Sequence, residues 1–266
     1  MRNSCGVVHV SYENILVEKR NRVGLITLNR PSVRNALSTQ LMRELLAALE
    51  SLAGDNEVGA VVITGGPKFF SAGADIKEMS EKTLVEAYLA DMGRFWDAVG
   101  DYPKPLIAAV NGYAYGGGLE MVLACDIVVC SEDAKFGQPE INIGVFPGAG
   151  GTQRLPRIVG KYRAMEMILT GRPISAQEAY MLGLANRVVP AESVLDHALG
   201  IASEIASKSP IAVRLAKEAV KAAFNTTLDA GLLFEHRLFY MAFGSEDKVE
   251  GMAAFLEKRE PKFKGR

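Results

Sequence analysis

The sequence predicts an α/β fold in which a core of alternating strands and helices is followed by a helix-rich C-terminal part. Two observations carry this reading. Four short, nearly continuous apolar runs rich in β-branched residues recur in the first half, each bounded by turn residues, as strands covered on both faces require. After about Lys161 the apolar residues return at helical spacing instead.

Taken in order, the predicted strands are VGLITL at 23–28, GAVVIT at 59–64, PLIAAV at 105–110 and DIVVC at 126–130. Between the first two, STQLMRELLAALESLAG puts Leu41, Leu45, Leu49 and Leu52 on one stripe, with Ser38 placed to cap the helix start. Between the second and third, LVEAYLADMGRFWDAV at 84–99 reads as one helix. This order implies an α/β core with right-handed crossovers. Further on, YRAMEMILTG ends at Gly171 and SAQEAYMLG at Gly183, where glycines usually cap helix C-termini. Long helical stretches are expected over 191–208, 210–224 and 228–258. No low-complexity linker divides the chain, so a loose boundary near residue 204 separates a core, 1–204, from a helical region, 205–266. The apolar residues of that region must be buried against the core or against another copy, and a homo-oligomer is expected.

The 266 residues, 48% of them hydrophobic, suffice for a large core. Thirty Lys and Arg against 31 Asp and Glu give a net charge of -1, so nothing global draws the chain to nucleic acid or anionic membrane. Cys5, Cys125 and Cys130 form an odd set without metal-ligand spacing, so neither a disulfide framework nor a zinc site is expected, and a reducing, cytoplasmic location is. The first ten residues hold Arg2 but no long apolar stretch, and no run reaches membrane-spanning length.

Familiar nucleotide and hydrolase signatures fail. In GVFPGAGGTQR, Gln153 stands where a G-x-G-x-x-G pattern starting at Gly148 needs its last glycine, and no Walker lysine follows. In FFSAGAD, Phe69 replaces the first glycine of a G-x-S-x-G elbow. His9, His197 and His236 lie outside the glycine-rich segments, which argues against a Ser/His triad.

Three other segments hold candidate chemistry. FFSAGADIKEM at 69–79 leads from a strand toward a helix with Asp75 near its start, and reads as an ordinary turn or as an exposed amide facing a polarised oxygen. NGYAYGGGLEMV at 111–122 follows three glycines with Glu120, where the absent Cβ atoms either serve helix packing or let amides approach a ligand. FGQPEINIGVFPGAGG at 136–151 places Glu140 in another apolar, glycine-punctuated segment, either as a loop residue or as a second functional carboxylate. Two such glutamates suggest an acid/base pair whose ionisation is tuned by its surroundings.

Together, in order and spacing, FFSAGADIKEM, AAVNGYAYGGGLEMVLACDIVV and AKFGQPEINIGVFPGAGGTQRLPRIVG resemble the crotonase superfamily, and most closely its short-chain enoyl-CoA hydratases. The likeness runs from about Tyr12 to the C-terminus and includes RPISAQEAYMLGLANRVV. It implies a spiral core of repeated ββα units and a C-terminal helical trimerisation region, assembled as a hexamer from two trimers. It further implies that the backbone amides of Ala74 and Gly117 form an oxyanion hole for an acyl-CoA thioester. Glu120 would help activate a water over C3 of a 2-enoyl thioester, Glu140 would protonate C2, and the Gly148 amide would help place the water. Ala72, Ala74, Asp75, Ile76 and Lys77 match the segment that holds CoA, with Lys77 a partner for its phosphates; Phe255 and Lys258 would close over CoA, from the same or a neighbouring subunit. No cofactor or metal is implied, because CoA arrives as part of the substrate.

The nearest alternative is a Δ3,Δ2-enoyl-CoA isomerase, which commonly needs a carboxylate only at the position of Glu140; Glu120 favours the hydratase. An RNA-binding role would call for a lysine-rich N-terminal helix, whereas STQLMRELLAALESL has Arg43, no lysine and opposing Glu44 and Glu50. A CoA-binding protein without activity would not need both carboxylates. Tyr115, Met79, Trp96, Phe136 and Phe146 are candidates for an acyl pocket or for the core.

Overall fold

The computed structural model describes residues 12–91 and 93–266; Cys5 and His9 lie outside the described residues. Strands β1 (Ile15–Arg20) and β2 (Val23–Leu28) form a hairpin, followed by α1 (Thr39–Gly54) and β3 (Ala60–Thr64). Short helices α2 (Ile76–Ser80), α3 (Leu84–Ala90) and α4 (Gly93–Gly100) lead to β4 (Leu106–Val110), β5 (Tyr113–Tyr115) and α5 (Gly117–Ala124). Then come β6 (Ile127–Ser131), β7 (Lys135–Gly137), a 3-10 turn over Pro139–Ile143, α6 (Gly151–Val159), α7 (Lys161–Thr170), β8 (Ile174–Ser175), α8 (Ala176–Met181) and β9 (Arg187–Val189). Helices α9 (Val194–Ala206), α10 (Pro210–Ala222), α11 (Leu228–Ala242) and α12 (Glu246–Glu257) complete the chain.

One sheet orders its strands β1-β2-β3-β4-β6-β9 and a smaller one β5-β7-β8. Successive units alternate between them: β4 and β6 enter the large sheet, while β5 and β7, the strands that follow each, enter the small one. These are repeated ββα units wound as a spiral. Parallel pairing is in step, with Ala108 opposite both Ile63 and Val128.

The continuous apolar strands follow from burial on both faces. Val62, Ile107, Ala109 and Val129 pack toward Ala198, Ala202 and Ala206 of α9, whereas Val61, Ile63, Ala108 and Val110 face a second core with Leu41, Leu45 and Leu119. Small residues bring α9 close: a Cβ on Gly59 would lie 2.7 Å from Ala206 Cα. The proposed boundary at 204 thus falls inside α9, which covers the large sheet as far as Ala206. Ser38 caps α1 as expected, its Oγ accepting from Leu41 N at 3.2 Å.

Two long helices of the sequence reading are broken. The run 84–99 divides at Asp91, which adopts a left-handed φ of 41° between α3 and α4; aspartate tolerates this conformation and leaves no gap in the apolar pattern. The run 228–258 divides at Gly244 and Ser245, where Ser245 Oγ accepts from Lys248 N at 3.1 Å and starts α12.

The tail helices dock by charge. Lys217 Nζ on α10 donates to Asp126 Oδ2 at 2.6 Å and to Lys104 O at 2.9 Å, and Lys221 pairs with Asp101. Their outer faces leave Phe224, Leu228, Leu233, Phe239, Met252 and Phe255 exposed. Among the described residues, no helix is long and apolar enough to cross a membrane.

Candidate active site

Helix α5 is buried along all eight residues, which is why it reads as apolar throughout and why its glutamate needs partners. Gly116 precedes it with φ 51° and ψ −127°, a conformation glycine adopts readily. Gly118 is demanded by space, since a Cβ there would lie 2.8 Å from Ser71 Cβ and 2.9 Å from Ser71 O. Ser71 is itself fixed, donating from Oγ to Asn35 O at 2.8 Å and accepting there from Gly73 N at 3.1 Å. The segment entering α2 and the segment entering α5 therefore lie side by side.

This juxtaposition brings two amides together. A Cβ built on Gly117 would stand 3.4 Å from Ala74 N, and one on Gly73 would stand 3.4 Å from Gly117 N. Leu37 N donates to Gly73 O and Leu37 O accepts from Asp75 N, so the intervening Ala74 amide is turned away from Leu37. Among the described residues neither the Ala74 nor the Gly117 N–H has an acceptor. Trp96, 3% exposed, donates from Nε1 to Gly117 O at 2.9 Å, and a Cβ on Gly117 would lie 3.1 Å from its Cζ2.

Glu120, also 3% exposed, is held by a second glycine-rich turn. Its Oε1 accepts from Ala149 N at 2.7 Å and from Gly151 N at 2.8 Å. Gly151 is the first residue of α6, so the carboxylate rests at a helix N-terminus, where the dipole favours negative charge. Burial pushes the Glu120 carboxyl above the ordinary range, while the two amides and the Arg154 charge pull against it. Its other oxygen has no hydrogen-bond donor among the described residues.

Glu140 comes from the turn after β7 and is half-buried. Burial, and then the neighbouring Glu120 charge, push its carboxyl up to about 7, its own backbone amide opposing. Gln138, fully buried, lies against Glu140; with its amide oriented so that nitrogen rather than oxygen faces the carboxylate, it donates to Glu140 Oε1 at 2.9 Å and Oε2 at 3.1 Å. A Cβ on Gly116 would lie 3.2 Å from Glu140 Oε1, which places this carboxylate beside the residue that precedes the Gly117 amide. Two unequal carboxylates thus flank a pair of free amides. The arrangement can polarise a carbonyl, hold a water and move a proton.

The structure brings Ala74, Gly117, Glu120 and Glu140 together, with exposed Gly148 just before the Ala149 amide that grips Glu120. Ala72 is exposed beside them, its N–H bonded to Arg34 O at 3.0 Å. Asp75 is occupied within the chain by Arg30 Nη1 at 3.0 Å, while Ile76 and Lys77 are exposed on α2. Phe255 is 83% exposed, and the hydrogen bonds that anchor α12 run to Ser209 and to residues 259–266; neither Phe255 nor Lys258 bonds to the site of its own chain among the described residues. Trp96 and Phe136 are core residues, Phe146 is exposed, and Met79 and Tyr115 are half-buried. Two clefts, of about 370 and 860 Å³, lie on the tail helices and contain none of the site residues from 72 to 148. They belong to the exposed surface of α10–α12 rather than to the carboxylate pair.

Sequence reasoning missed Gln138, Arg154 and the Ala149 and Gly151 amides. A helix-start signal at Gly150–Gly151 was available; Gln138 and Arg154 carry no local signal, because their partners arrive through folding.

Comparison with known proteins agrees with this geometry. The enoyl-CoA hydratase/isomerase family model matches residues 18–266. A probable enoyl-CoA hydratase of Rhizobium meliloti is 54% identical over 97% of this chain and 100% of that protein. The probable enoyl-CoA hydratase echA8 of Mycobacterium tuberculosis is 52% identical over 96% and 99%. A crystal structure of enoyl-CoA hydratase from Bacillus anthracis superposes with a TM-score of 0.91 at 42% identity, covering 96% of this chain and 100% of that one. The chain belongs to the enoyl-CoA hydratase/isomerase family.

Proposed function

We propose that the protein is an enoyl-CoA hydratase, adding water across the C2=C3 bond of a trans-2-enoyl-CoA to give a 3-hydroxyacyl-CoA in acyl-CoA catabolism of the β-oxidation type. The observation that carries this reading is the pairing of Glu120 and Glu140 beside the unpartnered amides of Ala74 and Gly117.

The Ala74 and Gly117 amides receive the thioester oxygen. As water adds at C3, negative charge builds on that oxygen, and each preorganised donor contributes on the order of 3 kcal/mol to the transition state. Glu120, its carboxylate held by two amides at the α6 N-terminus, accepts a proton from the water; Glu140, whose carboxyl is pushed up to about 7, delivers a proton to C2. The Gly148 amide helps place the water. Lys77, with the 72–76 segment, lies where CoA is held, and Phe255 and Lys258 reach a CoA bound to a neighbouring subunit. The exposed apolar faces of α10–α12 support a homo-oligomer, read as a dimer of trimers, with 205–266 as the assembly region. The free thiols Cys125 and Cys130 support a reducing, cytoplasmic setting.

The isomerase alternative leaves Glu120, with two amides dedicated to it, without a task. The direct test is to supply crotonyl-CoA and follow loss of the conjugated enoyl-thioester absorbance. Turnover supports the proposal; none on short, long or branched enoyl-CoAs rejects it.

A further inference from the structure

Helix α4 supports both halves of the site from behind. Trp96 bonds the Gly117 carbonyl, and the next residue, Asp97, accepts through Oδ1 from Arg154 Nη2 at 3.2 Å. Arg154 Nη1 donates to the Ala149 carbonyl at 3.1 Å. That carbonyl lies in the chain between the Ala149 and Gly151 N–H groups, which grip Glu120 Oε1 at 2.7 and 2.8 Å. Glycines make the room: a Cβ on Gly150, whose φ is 107°, would collide with Arg154 Nη1, and one on Gly100 would lie 3.2 Å from Nη2.

Resting on the hydratase reading, we propose that Arg154 is a positioning residue for the hydration step. Its planar fork clamps the turn Ala149–Gly151 so that two amides converge on one oxygen of Glu120 and leave the other to face water. The outer end of the fork matters less. Asp97 is 71% exposed, and an ion pair so open to solvent contributes little. The bond to the Ala149 carbonyl carries the effect, and a lysine cannot hold both acceptors in one plane.

The charged or titratable groups around Glu120 are Arg154 on α6, Glu140 on the 3-10 turn, and Asp97 on α4 behind Arg154. Arg154 is the cation among them, and it favours the ionised form of Glu120. Its removal therefore has a signature in pH as well as in rate.

The test uses the full-length enzyme with crotonyl-CoA, comparing wild type, Arg154→Met and Arg154→Lys for kcat, KM, the pH dependence of kcat/KM and Tm. Arg154→Met is expected to lower kcat by about 30-fold or more with KM within about threefold, and to move the acid limb of kcat/KM to higher pH. Arg154→Lys restores the acid limb, because the charge remains, but leaves kcat lowered by about tenfold, because the carbonyl is no longer clamped. A kcat within about twofold of wild type overturns the proposal, as does a loss of Tm and kcat together with an unmoved acid limb. If Arg154→Met does not fold, the kcat of Arg154→Lys decides by the same twofold criterion. An inactive wild type removes the hydratase reading and this one with it; an active wild type with unaffected variants removes only this one.

Discussion

Gln138, its amide oriented by the hydrogen-bonding network with nitrogen toward Glu140, donates to both carboxylate oxygens, at 2.9 and 3.1 Å. The donation favours the ionised form and opposes burial, which drives the carboxyl up to about 7. Gln138→Met is expected to raise the Glu140 pKa further, to shift the alkaline limb of kcat/KM upward, and to lower kcat by about tenfold as the carboxyl loses its fixed orientation. A pH–rate profile of the variant checks both effects.

Glu140 also links stability to pH. Its carboxyl titrates near about 7 when folded and near 4.5 when unfolded, so between these values the unfolded chain releases a proton that the folded chain keeps. The penalty for ionising it in the fold is therefore absent below pH 4.5, where stability is highest, and grows as pH rises through about 7. Because the carboxyl is only half-buried, Glu140→Gln is expected to stabilise the fold above pH 7 by about 1–3 kcal/mol and to change little below pH 4.5, while lowering turnover severely. Denaturant unfolding at two pH values measures it.

Adjacent glycines should fail differently. A Cβ on Gly118 meets the Ser71 backbone at 2.9 Å, so Gly118→Ala is expected to destabilise the fold by roughly 1–3 kcal/mol. A Cβ on Gly117 meets Trp96 Cζ2 at 3.1 Å and the Ala74 amide at 3.4 Å, so Gly117→Ala should fold but lose about 100-fold in kcat through a displaced amide. Thermal unfolding read beside steady-state rates separates the two.

Trp96 is the chain's single tryptophan and it supports the Gly117 side of the site. Trp96→Phe keeps an aromatic ring but loses the bond to Gly117 O, and kcat is expected to fall by about tenfold with Tm lowered by a few degrees. In the unaltered protein, tryptophan fluorescence should change when an acyl-CoA binds. A titration with a saturated acyl-CoA gives the reading directly.

Much of the large sheet was legible because β2, β3, β4 and β6 are covered on both faces and so appear as unbroken apolar runs. The small sheet was not, since β5, β7 and β8 are two or three residues long and too short to show a period. Strand β1 escaped notice because its ILVEKR pattern is mostly exposed at the sheet edge. The breaks at Asp91 and Ser245 depend on single backbone conformations within otherwise apolar runs. In the site, glycine-rich turns marked where backbone approaches closely, and Glu120 stood out as a carboxylate in an apolar helix. Its pairing with Glu140 rested on the family resemblance. Gln138 and Arg154 were hidden because they act on groups that only tertiary folding brings near.

The most direct test of the two-carboxylate mechanism is hydration of crotonyl-CoA in ¹⁸O-labelled water, comparing wild type with Glu120→Gln and Glu140→Gln. Hydration through Glu120 and Glu140 predicts rapid entry of one solvent oxygen at C3 in the wild type and losses of several orders of magnitude in each variant, with acyl-CoA binding retained. No label in the wild-type product, or near-normal labelling by either variant, would contradict it.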